Sequence, residues 1–493
     1  MAPGSVSIFP GHGLGPIDLG ASLRNVLTCM KEEKEQYPAI ELHHSAADSL
    51  LAPVVVALPL NGIRLRFDGP DQRLRLIEIM DFRKIRLAYK GSELVKGPED
   101  GVPTDSVPAF KRIYQIFGAS YPGEYHPPMK GGQTGSYVLS WTGVAFRFPL
   151  QHAAYAPQKD HVAMLGSSAA GAATQMAVFE GNSWLEARKD LYAKTPAMPR
   201  LPAVASRPKD SLPAEVEFAT VRGNGAIQLQ RRAPTRPFVI MLNQTTSQDL
   251  ITELGSPDAF HKRELETAAF DQTYRARTNG VSAPAINGRA PGGSQPSSYS
   301  STGTDTFDAD FDSGDAEDDT CDRAARETFW CYFEHGLDIL VGPSSEHGPA
   351  STRHVQPAPS RQLVVTKVVI HGNVPGSYAF NRHRRLRWIL DLPNVSAAAG
   401  LSSEANFTSH LKPKLLKAFE GMWPAADMGR GKVVNRTWEG SPSDSSFFLP
   451  DKDEDFTDGA GSESWVGNTR LFSFPGLVFE VLEGGAVGGL TIC

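Results

Sequence analysis

Hydrophobic and polar positions alternate most clearly in the stretch 328–341, Thr-Phe-Trp-Cys-Tyr-Phe-Glu-His-Gly-Leu-Asp-Ile-Leu-Val. Apolar residues occupy every second position on both sides of a short polar turn, and this alternation is typical of a β-hairpin. Gly336 ends the turn, where a residue with positive φ is needed. The pattern therefore predicts two antiparallel strands joined at Gly336.

The same pattern occurs three more times, beginning at Gly62, Gly143 and Gly476. Apolar runs before and after each copy predict a three-strand meander, and an amphipathic helical pattern lies upstream of each. We predict an α+β fold of about four repeats, each one helix followed by an antiparallel three-strand meander. The repeats should pack together, because one such unit has too little core to be stable alone. The alternative is that such runs occur in any antiparallel protein.

The third helix is the most sharply delimited of the four. It begins after a Ser/Thr cap in Thr245-Thr-Ser and carries a short apolar face, and Gly255 and Pro257 mark its end.

These patterns divide the chain into repeats, connectors and insertions. Long stretches of Ser, Gly, Pro and acidic residues cannot bury enough apolar surface to fold, so we expect them to be disordered. The predicted boundaries are repeat 1 at 17–90, repeat 2 at 104–192, a Pro-rich linker at 193–213, bridging strands at 214–243, repeat 3 at 244–392 with a disordered insertion at 275–322, and repeat 4 at 405–493 with a polar insertion at 439–464.

Composition narrows the class of protein. At 493 residues the chain is longer than one hydrophobic core usually supports, so two or more packing units are expected. The net charge of −6 argues against a nucleic-acid binder. The four cysteines show no close pairing in sequence, as in proteins of a reducing compartment. The sequence shows neither a signal-peptide pattern nor an apolar stretch long enough to span a membrane, and we expect a cytoplasmic protein.

The sequence lacks the familiar motifs for catalysis, cofactor binding and metal binding. The acidic run 308–319 resembles a calcium loop, but Ser313 and Asp319 stand where an EF-hand needs Gly and Glu. The sequence contains no zinc, dinucleotide or phosphate-loop motif and no nucleophile elbow. We therefore predict a protein that is not an enzyme and has no cofactor or metal site.

One basic segment stands out against the acidic background. It contains Arg382, Arg384, Arg385, Arg387 and Trp388, which together could contact anionic lipid headgroups or a partner. At about 1 kcal/mol for each arginine, the attraction reaches only about 4 kcal/mol, or millimolar binding. A partner would have to add affinity. The alternative is a basic strand edge that faces solvent and discourages aggregation.

Five longer stretches carry a resemblance to a known family. They are Leu-Asn-Gly-Ile-Arg-Leu-Arg-Phe-Asp at 60–68, Phe-Gly-Ala-Ser-Tyr-Pro-Gly-Glu-Tyr at 117–125, Leu-Gly-Ser-Pro at 254–257, Tyr-Phe-Glu-His-Gly-Leu-Asp-Ile-Leu at 332–340 and His-Gly-Asn-Val-Pro-Gly-Ser-Tyr-Ala-Phe-Asn at 371–381. In this order they resemble the signature stretches of the phagophore assembly factor family, formerly an uncharacterised protein family. The long insertions are similar to those of a fungal-type member.

The resemblance implies a non-enzymatic adaptor or scaffold that regulates autophagy. It implies recruitment to the phagophore assembly site together with a β-propeller (WD-repeat-like) partner that has phosphoinositide affinity, so that membrane contact is weak or indirect. The alternative implied by the same family is a trans-Golgi or endosomal trafficking factor. The family supplies no catalytic residues.

Overall fold

The computed structural model describes residues 5–95, 107–129, 132–193, 214–232, 234–262, 327–343, 362–392, 395, 400–422, 431–434 and 469–493. Up to residue 193, the elements in chain order are β1 (Val6–Phe9), β2 (Gly13–Leu14), β3 (Ile17–Asp18), α1 (Leu23–Glu32), β4 (Glu41–His43), β5 (Val54–Leu58), β6 (Ile63–Phe67), β7 (Leu74–Ile79), β8 (Leu87–Tyr89), β9 (Ser92–Glu93), α2 (Phe110–Phe117), β10 (Glu124–His126), β11 (Thr134–Trp141), β12 (Val144–Gln151), a 3-10 turn (His152–Ala154), α3 (His161–Leu165), β13 (Gln175–Phe179) and α4 (Trp184–Ala187).

From residue 214 onwards the chain is again mainly strand. The elements are β14 (Val216–Arg222), β15 (Ala226–Arg231), β16 (Phe238–Met241), α5 (Ser247–Leu254), β17 (Ala259–Lys262), β18 (Thr328–Tyr332), β19 (Leu337–Pro343), β20 (Leu363–His371), β21 (Arg387–Asp391), a π-helical turn (Phe407–Leu411), α6 (Lys412–Ala418), β22 (Lys432–Val434), β23 (Thr469–Phe474), β24 (Leu477–Leu482) and β25 (Val487–Ile492).

Two eight-stranded antiparallel sheets dominate the fold. The N-terminal sheet has the order β10-β11-β12-β13-β7-β6-β5-β4, and the C-terminal sheet has the order β17-β18-β19-β20-β25-β24-β23-β22. Each consists of two runs of four consecutive strands, joined where the last strand of one run pairs with the last strand of the other. Two smaller sheets, β3-β2-β1-β8-β9 and β16-β15-β14-β21, accompany them.

The hairpins at the centre of each run follow from the sequence pattern. Buried and half-exposed residues alternate strictly along β5 and β6, because successive side chains point to opposite faces of a sheet. The turn glycines Gly62, Gly143, Gly336 and Gly476 have φ values of 66°, 76°, 72° and 72°. This conformation is costly for residues that carry a Cβ atom.

The buried apolar side chains form two main clusters. One gathers residues between Ile8 and Val178, and the other gathers residues between Val216 and Ile492. Helix α5 packs Leu250 and Leu254 into the second cluster, and Thr246 begins it with a capping box. The prediction of a helix that starts at a Ser/Thr cap and stops at Gly255 is confirmed.

The prediction of an α+β fold built from helix-plus-meander repeats is wrong. The described chain is mainly β, its helices are few and short, and its strands belong to large sheets. The strands at the ends of two runs pair with each other, so the runs merge into one sheet and share its hydrogen bonds. The predicted insertions 275–322 and 439–464, and residues 194–213 of the predicted linker, lie outside the described residues.

Candidate functional site

Two turns that lie 301 residues apart in sequence meet in the interior. One is the β6–β7 turn, and the other is the segment that follows β20. Gln72 and Asn373 lie at their tips, both buried and both with positive φ, at 51° and 42°. The Gln72 amide donates to the Asn373 carbonyl at 2.9 Å, and the Asn373 amide donates to Gln72 Oε1 at 2.7 Å. Such backbone conformations cost about 1–3 kcal/mol each, so the surrounding contacts must hold them.

A buried carboxylate next to this pair connects three parts of the chain. Glu215, just before β14, forms ion pairs with Arg73 from the β6–β7 turn and with Arg384 from the segment after β20. Burial lowers the pKa of Arg384 to about 10, which leaves the guanidinium charged at neutral pH. A buried ion pair is a weak source of stability while intact, but losing one partner strands a charge and costs about 3–5 kcal/mol.

Arg385 completes this region by filling a cage of backbone carbonyls. Its guanidinium donates to Gly372 O at 2.6 Å, Gly69 O at 2.5 Å and Leu50 O at 3.1 Å. Two of these carbonyls belong to the N-terminal sheet's loops and the third to the segment after β20. We call this set of residues the junction: Gln72, Arg73, Glu215, Asn373, Arg384 and Arg385.

Helix α1 adds a further connection beside the junction. Arg24 contacts Glu334, in the β18–β19 turn, at 2.5 Å, and Asn25 Nδ2 donates to the same carboxylate at 2.8 Å. The Arg24 guanidinium also lies over the Phe333 ring, 5.0 Å from its centroid. The N-terminal and C-terminal halves are therefore held together through charged groups that sit next to apolar surface.

The residues of the predicted basic segment have different environments in the structure. Arg384, Arg385 and Trp388 are buried and therefore cannot reach a lipid headgroup or a partner in this conformation. Arg387 is half-buried and lies 3.2 Å from carboxylates of both Asp71 and Glu404. Arg382 is exposed and lies over the Tyr378 ring. The predicted lipid or partner contact does not hold for the three buried residues, and neither does the alternative of a solvent-facing strand edge.

A second polar cluster, which the sequence did not indicate, lies on the outer face of the C-terminal sheet. His371 Nε2 is 2.9 Å from Asp338 Oδ2, and His383 Nε2 is 2.7 Å from Asp338 Oδ1. The two imidazole rings stack with centroids 3.8 Å apart. Burial raises the pKa of Asp338, but the two histidine contacts outweigh it and hold that pKa below its usual range.

Cys331 lies beside this carboxylate. Burial, followed by the nearby Asp338, raises the pKa of the Cys331 thiol. The ligand atoms of Cys331, Asp338 and His383 all lie within 4.8 Å of one another, which is the one such grouping in the described part of the chain. Sequence reasoning missed it because its members are 7 and 45 residues apart. The available signal was Cys331 and Asp338, polar residues on mainly apolar strands, whereas His383 lies in the segment between β20 and β21.

Comparison with known proteins assigns the chain to a family. The sequence model of the phagosome assembly factor 1 family matches residues 13–279 and 314–493. The chain belongs to this family. The resemblance drawn from the five sequence stretches is thereby confirmed. The segment 280–313, between the two matched ranges, falls inside the predicted insertion 275–322.

Relatives in the family are distant. A PHAF1 protein of Arabidopsis thaliana is 21% identical over 489 residues, covering 98% of this chain and 91% of the relative. One of Drosophila melanogaster is 20% identical over 376 residues, with 74% and 68% covered. One of Caenorhabditis elegans is 28% identical over 131 residues, with 27% and 28% covered. No solved structure matches the chain significantly.

Three of the five family stretches lie at or beside the junction. The stretch 60–68 forms a hairpin that leads into the β6–β7 turn, and 371–381 carries Asn373. The stretch 332–340 supplies Glu334 and Asp338. Among the helices that the structure describes, none has the length and apolarity needed to cross a bilayer.

Proposed function

We propose that this protein is a non-enzymatic adaptor that acts in the assembly of phagosomes during autophagy, at the phagophore assembly site. Membership of the phagosome assembly factor 1 family supports the process, because relatives across plants and animals share the family. The partner that recruits it is a β-propeller protein with phosphoinositide affinity. This partner class rests on the resemblance of the five sequence stretches.

The main structural support for an adaptor comes from the contacts within the junction. Polar residues of the family stretches, such as Asn373, are buried and bind other parts of this chain. Polar groups that bind each other in the interior fix the relative position of two sheets, whereas catalytic groups need access to a substrate. Two large sheets that buried polar contacts hold to each other suit a protein that holds partners in place.

Membrane contact is proposed to be indirect. Three of the five basic-segment residues are buried, which leaves Arg382 and the half-buried Arg387. Two arginines would contribute about 2 kcal/mol of attraction to an anionic surface, too little for stable binding. The affinity for the membrane would therefore come from the partner.

The test uses tagged full-length protein purified from starved cells, followed by mass spectrometry of what co-purifies. We expect a β-propeller protein in the wild-type sample, and we expect fewer autophagosomes in cells that lack this chain. Normal autophagic flux without the chain, together with no co-purifying β-propeller protein, would overturn the proposal. A secretory cargo defect with normal autophagosome formation would instead favour trafficking from the trans-Golgi network.

Two point variants connect this test to the structure. Glu215→Gln removes the carboxylate that joins Arg73 to Arg384, and Glu217→Gln removes a nearby carboxylate that forms a partly exposed pair with Arg232 at 2.6 Å. If partner capture needs both sheets in fixed positions, Glu215→Gln should lose it at a temperature where the protein is still folded. Glu217→Gln should keep it.

A further inference from the structure

Three neighbouring strands of the C-terminal sheet present polar side chains on the same face. Cys331 on β18 pairs directly with Asp338 on β19, so the two side chains share a face. Asp338 pairs with Val369 on β20, and His371, two residues further, returns to that face. Their neighbours Leu337, Ile339 and Ile370 point to the opposite face and belong to the core.

The fourth residue comes from the segment that folds back over this face. His383 lies between two backbone anchors: Asn381 N–H donates to Asn373 Oδ1 at 2.7 Å, and Arg384 N–H donates to Phe333 O at 2.9 Å. The Phe333 and His383 rings pack in an edge-to-face arrangement, with centroids 5.0 Å apart. His383 is therefore held over Asp338 by the same segment that forms the junction.

Three of the four side chains, Cys331, Asp338 and His383, make a compact donor set, and His371 adjoins it through Asp338. Both histidines approach Asp338 through Nε2, at 2.9 and 2.7 Å, and the Cys331 sulfur lies within 4.8 Å of the Asp338 and His383 ligand atoms. Zinc binds nitrogen and oxygen at about 2.0–2.2 Å and sulfur at about 2.3 Å, so tetrahedral ligands lie about 3.3–3.7 Å apart. The Cys331, Asp338 and His383 ligand atoms would have to close in by about an ångström, and the His371 ring would have to turn out of its stack with His383 to reach the same ion.

The fold does not require an aspartate at this position. The residue two places after the turn glycine is Arg64 in the first hairpin, Ala145 in the second and Val478 in the fourth. Only in the third hairpin does another segment of the described chain bring a histidine over it. Hairpins of the same geometry form without an aspartate at this position. The presence of Asp338 is therefore explained by its contacts on this face and not by the needs of the hairpin.

We propose that Cys331, Asp338, His371 and His383 together bind one divalent transition-metal ion of the zinc class. A thiolate with two imidazoles and one carboxylate is a soft-to-borderline donor set that suits zinc and cobalt. Calcium and magnesium prefer six or more oxygen ligands, which this set does not provide. With four protein ligands the site is closed, so the ion would have a structural role: it would tie β18, β19 and β20 to the segment after β20.

The first experiment titrates the full-length protein, stripped with a chelator, with Co²⁺ and then Zn²⁺. We expect one Co²⁺ per chain, with the visible bands of a tetrahedral ion and a near-ultraviolet sulfur-to-cobalt charge-transfer band that Zn²⁺ abolishes. Thermal unfolding should move to higher temperature when Zn²⁺ is added, since an ion that binds the folded state stabilises it. A featureless cobalt spectrum together with an unchanged melting temperature would overturn the proposal.

Variants identify the ligands. Cys331→Ser should remove the charge-transfer band, and His383→Gln should weaken Zn²⁺ binding more than about 100-fold, since even outer contacts to metal ligands are worth about 10–100-fold. Cys29→Ser and Cys493→Ser, which change cysteines outside the cluster, should leave the spectrum unchanged. Circular dichroism of each stripped variant checks folding. Metal binding that survives in both folded ligand variants would show that the ion binds elsewhere and would reject this site.

Discussion

The N-terminal and C-terminal eight-stranded sheets have the same strand plan but different chemistry on their outer faces. In the N-terminal sheet, Arg64 pairs across the hairpin strands with Glu78 at 3.8 Å, and its side chain is 38% exposed. In the C-terminal sheet, the corresponding residue Asp338 is 19% exposed, because His383 and its neighbours cover it. The hairpin pattern therefore sets the backbone, whereas the covering segment decides whether a polar position is a surface charge or a buried cluster.

The largest loss of stability is expected from a change at Glu215, the carboxylate that connects the two halves. Glu215→Gln leaves the largely buried Arg73 and the buried Arg384 without their carboxylate, and we expect a loss of about 3–5 kcal/mol in the free energy of unfolding. Chemical denaturation monitored by circular dichroism measures it. The control Glu217→Gln removes a partly exposed pair and should cost less than about 1 kcal/mol. Equal effects of the two variants would mean that Glu215 does not join the halves.

A second difference concerns the residue before the turn glycine, which is His335 in the third hairpin, of the C-terminal sheet, and Asn61 in the first hairpin, of the N-terminal sheet. Burial, followed by the nearby Arg384, lowers the pKa of His335 to about 4, against about 6.5 for a histidine in the unfolded chain. Between these two values the unfolded state binds more protons, so stability should fall as the pH drops from about 6.5 to about 4. The loss from this histidine is at most about 3 kcal/mol.

This pH effect can be isolated by making the third turn resemble the first. His335→Asn should flatten the dependence of melting temperature on pH over that window, measured by calorimetry. His43→Asn, which changes a side chain that is 60% exposed, serves as the control and should leave the slope as it is in the wild type. A slope that persists in His335→Asn would assign the pH dependence to other groups.

Turn glycines provide a finer comparison within the C-terminal sheet. A Cβ atom at Gly336 would collide with Arg384 O and lie 3.0 Å from Leu386 Cβ, whereas at Gly476 it would meet only Cys493 O at 3.5 Å. Both glycines have φ of 72°, so valine meets the same backbone penalty at each. The collision should make Gly336→Val about 1–3 kcal/mol worse than Gly476→Val. Urea unfolding of the two variants side by side gives the difference, and equal losses would contradict it.

The smallest effect is expected from the connection between the edge strand and its neighbour. Residues 127–133 make this connection in the N-terminal sheet, and residues 263–326 make it in the C-terminal one. Lys262 and Thr328 face each other in the β17–β18 ladder, so a short turn can replace 263–326. Closing a shorter loop gains about 0.6 kcal/mol per halving of length.

We therefore expect the replacement to preserve cooperative unfolding and to shift the melting temperature by only a few degrees, as seen by scanning calorimetry. Extending the deletion back to residue 259 also removes β17 and should lower the melting temperature further. Loss of cooperativity in the shorter replacement would show that residues 263–326 contribute to the fold.

Local pattern determined the hairpins and the helix starts. The alternation around Gly336 identified β18 and β19, and the cap and stop residues identified α5, because these signals act over a few residues. The merging of two runs into one sheet was not predictable in this way. It depends on hydrogen bonds between β20 and β25, strands more than a hundred residues apart, and backbone hydrogen bonds leave no side-chain signature.

The sequence by itself determined that the chain is a many-stranded protein with glycine-ended hairpins and that it resembles its family. Tertiary structure alone decided the fate of the charged residues. Arg384 and Arg385 look like surface residues in sequence, yet Glu215 and a cage of carbonyls compensate their burial. Asp338 met His371 when β20 paired with β19, and it met His383 only when the following segment folded over it. The physical reason is that the cost of burying a polar group depends on partners that only the folded chain assembles.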